Sequence, residues 1–294
     1  MKQLNRLLTY IILSLVILGI EGCSSPSVKK NALTVSIPPQ KYLLKKIVGD
    51  KFEVYSLLAP GTNPEHYDPS INHLTGLQYS KAYFRIGNIG FETASIQKII
   101  ENFPDVEIIN SANGISYIYG THNHHHGGRH SHDADPHVWT SVKNAKIIAK
   151  NMYDAIIILD PNNKNYYTKR FNILNTELDN LNDSISKKLQ NHKGETFIVW
   201  HPSLSYFAKD YELNQLSIEY EGKEISAKQL QQKIDVAKAL SPKIFFFQKE
   251  YDSRQSEIIN NEIGTKLIPV NLLSEEWDKE MLYITNALAS EAIN

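Results

Sequence analysis

The stretch DPNNKNYYTKRFNILNTELDNLNDSISKKLQNHKG, residues 160–194, decides the fold. Asp160 suits a helix N-cap, and Pro161 suits the first helical position, where its missing N–H costs nothing. No further Gly or Pro occurs until Gly194, a natural stop. Between them Tyr167, Phe171, Leu174, Leu178, Leu181, Ile185 and Leu189 recur at steps of three or four, one apolar stripe at helical period. At about 1.5 Å per residue, a helix over 160–194 runs roughly 45–50 Å. An isolated coiled coil would need more heptads and regular flanking charge pairs. The spacing therefore predicts a backbone helix that packs along two lobes, one on each side of it in sequence.

Both flanks read as alternating strands and helices, which means βαβ units and parallel sheets. Before the spine, strands are expected at 33–37, 52–58, 82–86 and 106–109. Helices are expected after Pro38-Pro39 up to Gly49, near 70–79, at 91–102 and at 140–159. After the spine, strands are expected at 196–200, 213–218, 243–247 and 267–272. The helices there fall near 203–209, from Ser226 to 240, from Ser253 or Ser256 to 264, and at 275–292 behind Ser274. The fold class is α/β. Its divisions are a leader (1–22), a tether (23–32), an N-terminal lobe (33–159), the linking helix (160–194) and a C-terminal lobe (195–294).

The chain has 294 residues, 41% hydrophobic and 21% charged, with net charge −1. That is enough for two cores, and the near-neutral balance argues against nucleic acid as a partner. Lys2 and Arg6 precede an apolar run at 7–20, the pattern of a secretion signal. Ile20-Glu21-Gly22-Cys23 resembles a bacterial lipobox, and Cys23 is the single cysteine of the chain. A lipid on Cys23 would hold the body at a membrane surface, in the periplasm or outside the cell.

Three histidines stand on loops just past strand ends: His66 in Pro64-Glu65-His66-Tyr67, His137 in Asp135-Pro136-His137-Val138-Trp139, and His201 in Trp200-His201-Pro202. The crevice beyond the carboxyl ends of parallel strands is where ligands bind. Two of these histidines belong to the first lobe and one to the second, so they can meet only in the cleft between lobes. Neutral imidazole suits Zn²⁺, and a four-coordinate site leaves a position for Glu65 or water. A second group, His122, His124, His125, His126, His130 and His132, lies in the loop 121–134 and reads as a weak metal-collecting segment. Trp139, Trp200 and Trp277 read as core, and His73 and His192 as surface residues. Tyr251 and Arg254 are placed to face the cleft, and Glu250 and Asp252 read as solvated.

The chain resembles the zinc-binding proteins of bacterial ABC importers, the ZnuA-like branch of the TroA-type (cluster A-I) metal receptors. The carriers are Ser36-Ile37-Pro38-Pro39-Gln40-Lys41-Tyr42, Ala59-Pro60-Gly61-Thr62-Asn63-Pro64-Glu65-His66-Tyr67, Asp135-Pro136-His137-Val138-Trp139, His201-Pro202-Ser203 with Tyr206-Phe207-Ala208, and the spine. The resemblance implies two βα lobes on one rigid helix, with metal held by His66, His137 and His201 and Glu65 as fourth ligand. It implies a monomer that delivers Zn²⁺ to a permease and its ATPase without catalysis. Asn271 stands where manganese-type members place a ligating Asp, which favours zinc over Mn²⁺. The alternatives are a zinc hydrolase with Glu65 as general base, and a manganese-type receptor or adhesin of the same fold. Imidazole must be neutral to ligate, so affinity is expected to fall as pH drops through about 6.5.

Overall fold

The computed structural model describes residues 31–59, 61–65, 67–70, 74–119, 134–219, 226–251 and 253–290. Cys23 and the rest of the leader, His66, His73, Asp252 and the histidines between 122 and 132 lie outside the described residues.

The first lobe contains β1 (Ala32–Val35), α1 (Pro38–Val48), β2 (Glu53–Ser56), β3 (Ser80–Arg85), α2 (Gly90–Asn102) and β4 (Glu107–Asn110). Its four strands are parallel, in the order β2-β1-β3-β4. Pro38 and Pro39 do not merely end β1; they occupy the first two positions of α1, where proline's fixed φ fits. The expected helix near 70–79 is a 3₁₀ turn, Thr75–Tyr79. A second 3₁₀ turn, Val138–Thr140, precedes α3 (Val142–Leu159), which Ser141 caps through the Asn144 N–H.

The spine, α4, runs Lys164–Leu189, shorter than expected. Its 26 residues span about 39 Å at helical rise. Asp160 is not its N-cap. Asp160 ends α3, and its carboxylate accepts from the Tyr167 hydroxyl at 2.6 Å and the Asn163 amide at 2.8 Å. Pro161–Asn163 forms a 3₁₀ turn with no side-chain cap from Asp160, and α4 starts after it. At the other end the chain leaves the helix before Gly194, whose φ of +80° suits the turn and whose N–H donates to the Glu212 carbonyl.

The second lobe repeats the plan with β5 (Thr196–Val199), α5 (Ser205–Asp210), β6 (Asn214–Ser217), α6 (Ala227–Leu240), β7 (Ile244–Gln248), α7 (Ser253–Ile263), β8 (Lys266–Val270) and α8 (Trp277–Ser290). Its sheet is parallel in the order β6-β5-β7-β8, matching the first. Ser226 caps α6 in a capping box with Gln229. Each strand order reverses direction once, between β1 and β3 and between β5 and β7, and opens a crevice at the carboxyl ends there.

The two lobes share a core. One buried cluster runs from Leu33, Phe84 and Trp139 through Tyr167, Leu174, Leu178 and Ile185 of α4 to Phe197, Phe246 and Trp277. The outer face of the second sheet has its own cluster around Ile198, Ile218 and Phe245. Two indoles also clasp the lobes together. The Trp139 ring N–H donates to the Leu272 carbonyl at 3.0 Å, and the Trp277 ring N–H to the Trp139 carbonyl at 2.9 Å. His192, expected at the surface, is 4% exposed, with its Nδ1 at 3.0 Å from Glu195. The turn between α4 and β5 folds it inward.

Leu178 is 1% exposed and lies midway along α4. Leu178→Ala is expected to destabilise the protein by about 2–5 kcal/mol, the range for a truncated core leucine. Because α4 belongs to both lobes' core, denaturant unfolding should remain a single transition shifted to lower midpoint.

Candidate metal centre

Glu65, His137 and His201 meet in the cleft, each offering one ligand atom, and these atoms lie within 4.8 Å of one another. They come from three separate parts of the chain. Glu65 sits on the loop after β2, where its N–H donates to the Asn63 side chain at 2.9 Å. His137 starts the 3₁₀ turn that leads into α3. His201 follows β5 at the switch point of the second sheet.

Each imidazole is oriented from behind by a carboxylate. Asp135 Oδ1 accepts from the His137 backbone N–H at 2.9 Å and lies 2.8 Å from its Nδ1. Burial works to raise the Asp135 carboxyl, but the hydrogen bonds and charge of His137 outweigh it and hold it below the usual range. His201 Nδ1 lies 3.1 Å from Glu219 Oε2. A carboxylate on Nδ1 fixes ring orientation and leaves Nε2 as the outward donor. His201 Nε2 is buried and faces Glu65 Oε1 at 3.0 Å, an ion pair across the cleft when the ring is protonated.

Further side chains hold this arrangement. Gln248, 2% exposed at the end of β7, accepts from the His201 N–H at 3.3 Å and donates to the His201 carbonyl at 2.8 Å. The Tyr251 ring stacks on His201, centroids 5.3 Å apart at 18°. The His137 and His201 rings meet edge-on at 5.1 Å. Between them lies a cavity of about 10 Å³, lined also by Pro64, Trp139 and Glu250. That is room for roughly one water-sized sphere.

Of the expected ligands, Glu65, His137 and His201 are brought together, and His66 lies outside the described residues. Asn271 does not line the cavity; its N–H donates to Glu280 at 2.7 Å. Glu250 is not simply solvated. It lines the cavity, and burial raises its carboxyl against the pull of the two imidazoles. Arg254 is exposed, whereas Tyr251 does face the cleft. Asp135, Glu219 and Gln248 had no assigned role in the sequence. Asp135 carries a signal, two residues before His137, and Glu219 a weaker one, just past a strand end. The histidines between 122 and 132 lie outside the described residues, but the chain on either side of them is paired. Tyr119 and Ala134 form an antiparallel bridge, and the Asp135 N–H donates to the Ile118 carbonyl at 2.8 Å.

Comparison with known proteins bears on this centre. Residues 33–290 match the family described as zinc-uptake complex component A, periplasmic (ZnuA). The chain is 28% identical to the high-affinity zinc uptake system protein ZnuA of Bacillus subtilis, over 93% of this chain and 92% of that protein. It is 26% identical to the zinc-binding lipoprotein AdcA of Streptococcus pneumoniae strain R6, over 95% of this chain but 57% of that protein. A crystal structure of ZnuA superposes with TM-score 0.81 and 34% identity, covering 88% of this chain and 98% of that one.

His201 titrates abnormally. Burial lowers its pKa, but hydrogen bonds and charge from Glu219 and Glu65 prevail and raise it from 6.5 to about 9. The raised value means that the protonated ring stabilises the metal-free protein fully below pH about 6.5, and that this contribution disappears as pH rises through about 9. NMR titration of the metal-free protein should place the His201 midpoint near 9. Glu219→Gln should move it down and flatten stability over that interval.

Proposed function

The chain belongs to the ZnuA family of periplasmic zinc-uptake components, and from that premise we propose that it captures Zn²⁺ outside the cytoplasmic membrane and hands it to an ABC permease. The ligands are His66, His137 and His201, with Glu65 completing four. The observation that carries this reading is the convergence of ligand atoms from Glu65, His137 and His201, within 4.8 Å of one another, beside a cavity of about 10 Å³. Imidazole nitrogen with one carboxylate suits Zn²⁺, whereas Mn²⁺ favours more oxygen.

The shape of the cavity supports a receptor over a zinc hydrolase. A hydrolase needs an open coordination position with a substrate pocket beside it. Among the described residues Tyr251, Trp139, Leu272 and Leu273 line the cavity around the ligands, which has room for about one ion-sized sphere. Glu65 is therefore assigned as a ligand rather than a general base, and the protein as a carrier without catalysis. It works as a monomer with a permease and its ATPase.

The leader supports the remaining assignments. Residues 1–22 act as a signal peptide, and lipid on Cys23 tethers the mature protein to the membrane. Among the described residues no helix is long and apolar enough to cross a membrane. The histidines from His122 to His132 collect metal weakly and feed the cleft site.

Zinc titration by calorimetry tests this. The protein should bind one Zn²⁺ tightly, and His137→Ala or His201→Ala should each weaken it by roughly 100-fold or more, beyond the loss typical of a merely orienting residue. Deleting residues 122–132 should leave the tight site intact. Because His201 holds its proton up to pH about 9 in the metal-free protein, binding at pH 7.5 should release about one proton. Affinity should therefore climb with pH until about 9, higher than an unperturbed histidine would give. Tight binding that survives loss of both His137 and His201 would overturn the assignment.

A further inference from the structure

The loop that carries Glu65 rests on the first turn of α2, and one residue permits the fit. A Cβ built on Gly90 would lie 2.8 Å from the Glu65 carbonyl oxygen and 3.4 Å from its Cα. Both are backbone atoms, so no side-chain rotation relieves the clash. Next to it, the Phe91 N–H donates to the Pro64 carbonyl at 3.4 Å, and the Phe91 ring meets Tyr67 edge-on at 5.6 Å. Pro64, Glu65 and Tyr67 of the loop are thus seated on residues 90 and 91.

The helix cannot retreat to make room. Glu92, fully buried, takes N–H donors from Gly87 and, at 2.8 Å, from Ile86, and this closes the β3–α2 turn. It also accepts a hydrogen bond from Ser36 at the end of β1. The start of α2 is therefore fixed to two central strands, and any added volume at position 90 must displace the loop instead.

We propose that Gly90 is a positioning residue for the metal site, its missing side chain letting the Glu65 backbone lie against α2 so that the Glu65 carboxylate reaches His201. This rests on Glu65 being a ligand. Gly90 has no left-handed φ, and alanine is the better helix former, so its own backbone does not require glycine. The close approach does.

Zinc affinity of the full chain, measured by competition with a chromogenic chelator, tests this, together with melting of the metal-free protein. Gly90→Ala should lose about tenfold in affinity, as for other residues that place a ligand, while the metal-free melting point changes by only a few degrees. In a Glu65→Ala background Gly90→Ala should add little, since the ligand it places is gone. If Glu65→Ala leaves affinity unchanged, Glu65 is no ligand, and this inference falls with that assignment. If Glu65→Ala weakens binding but Gly90→Ala does not, the positioning role alone is overturned. The same holds if the two losses add in full. Should Gly90→Ala fail to fold, Tyr67→Leu releases the same loop from Phe91 without adding volume. It should lower affinity in the same Glu65-dependent way, and unchanged affinity overturns the role.

Discussion

The structure depends on one arrangement of charge: two buried imidazoles from different parts of the chain, each backed by a carboxylate on Nδ1. Asp135 holds His137 and Glu219 holds His201. Burying an imidazole beside a carboxylate is costly unless their protons and lone pairs are matched. Here Asp135 and Glu219 match the inner sides of the rings, and on the outer side His201 Nε2 faces Glu65 Oε1 at 3.0 Å. In the proposed function a divalent cation takes the place of the proton that His201 holds.

The fold delivers these groups by repetition. Both sheets place their switch points toward one cleft, and the single core through α4 keeps the two sheets in register. The reciprocal indole bonds of Trp139 and Trp277 pin the turn that starts at His137 to the second lobe. Tyr206 adds a third tie, donating to the Asp135 carbonyl at 2.8 Å and accepting from the Ile118 N–H at 3.0 Å. These contacts bind the His137 turn directly to the opposite lobe.

Much of this was legible in the sequence because periodicity and punctuation are local. The apolar stripe from Tyr167 to Leu189 marks α4, and Ser226 announces its cap three residues before Gln229. Histidines just past strand ends mark the cleft. What escaped was set by partners distant in sequence. Asp160 looks like the cap of the spine, but a 3₁₀ turn follows it and its carboxylate accepts from Tyr167 instead. Glu219 is one acid among many until the β5–β6 ladder sets it beside His201. Glu250 and His192 look like surface residues because charge alone does not reveal which turn folds inward. Gly90 looks like ordinary turn punctuation until the Glu65 backbone is seen against it.

The central claim is that one ion sits where Glu65, His137 and His201 converge. Diffraction from zinc-loaded crystals at wavelengths on either side of the zinc absorption edge tests it most directly. The account predicts one strong anomalous peak in the cleft, about 2.0–2.1 Å from the imidazole nitrogens of His137 and His201 and within a similar distance of a Glu65 oxygen. A cleft without such a peak, or a fully occupied ion held by other side chains, would contradict it.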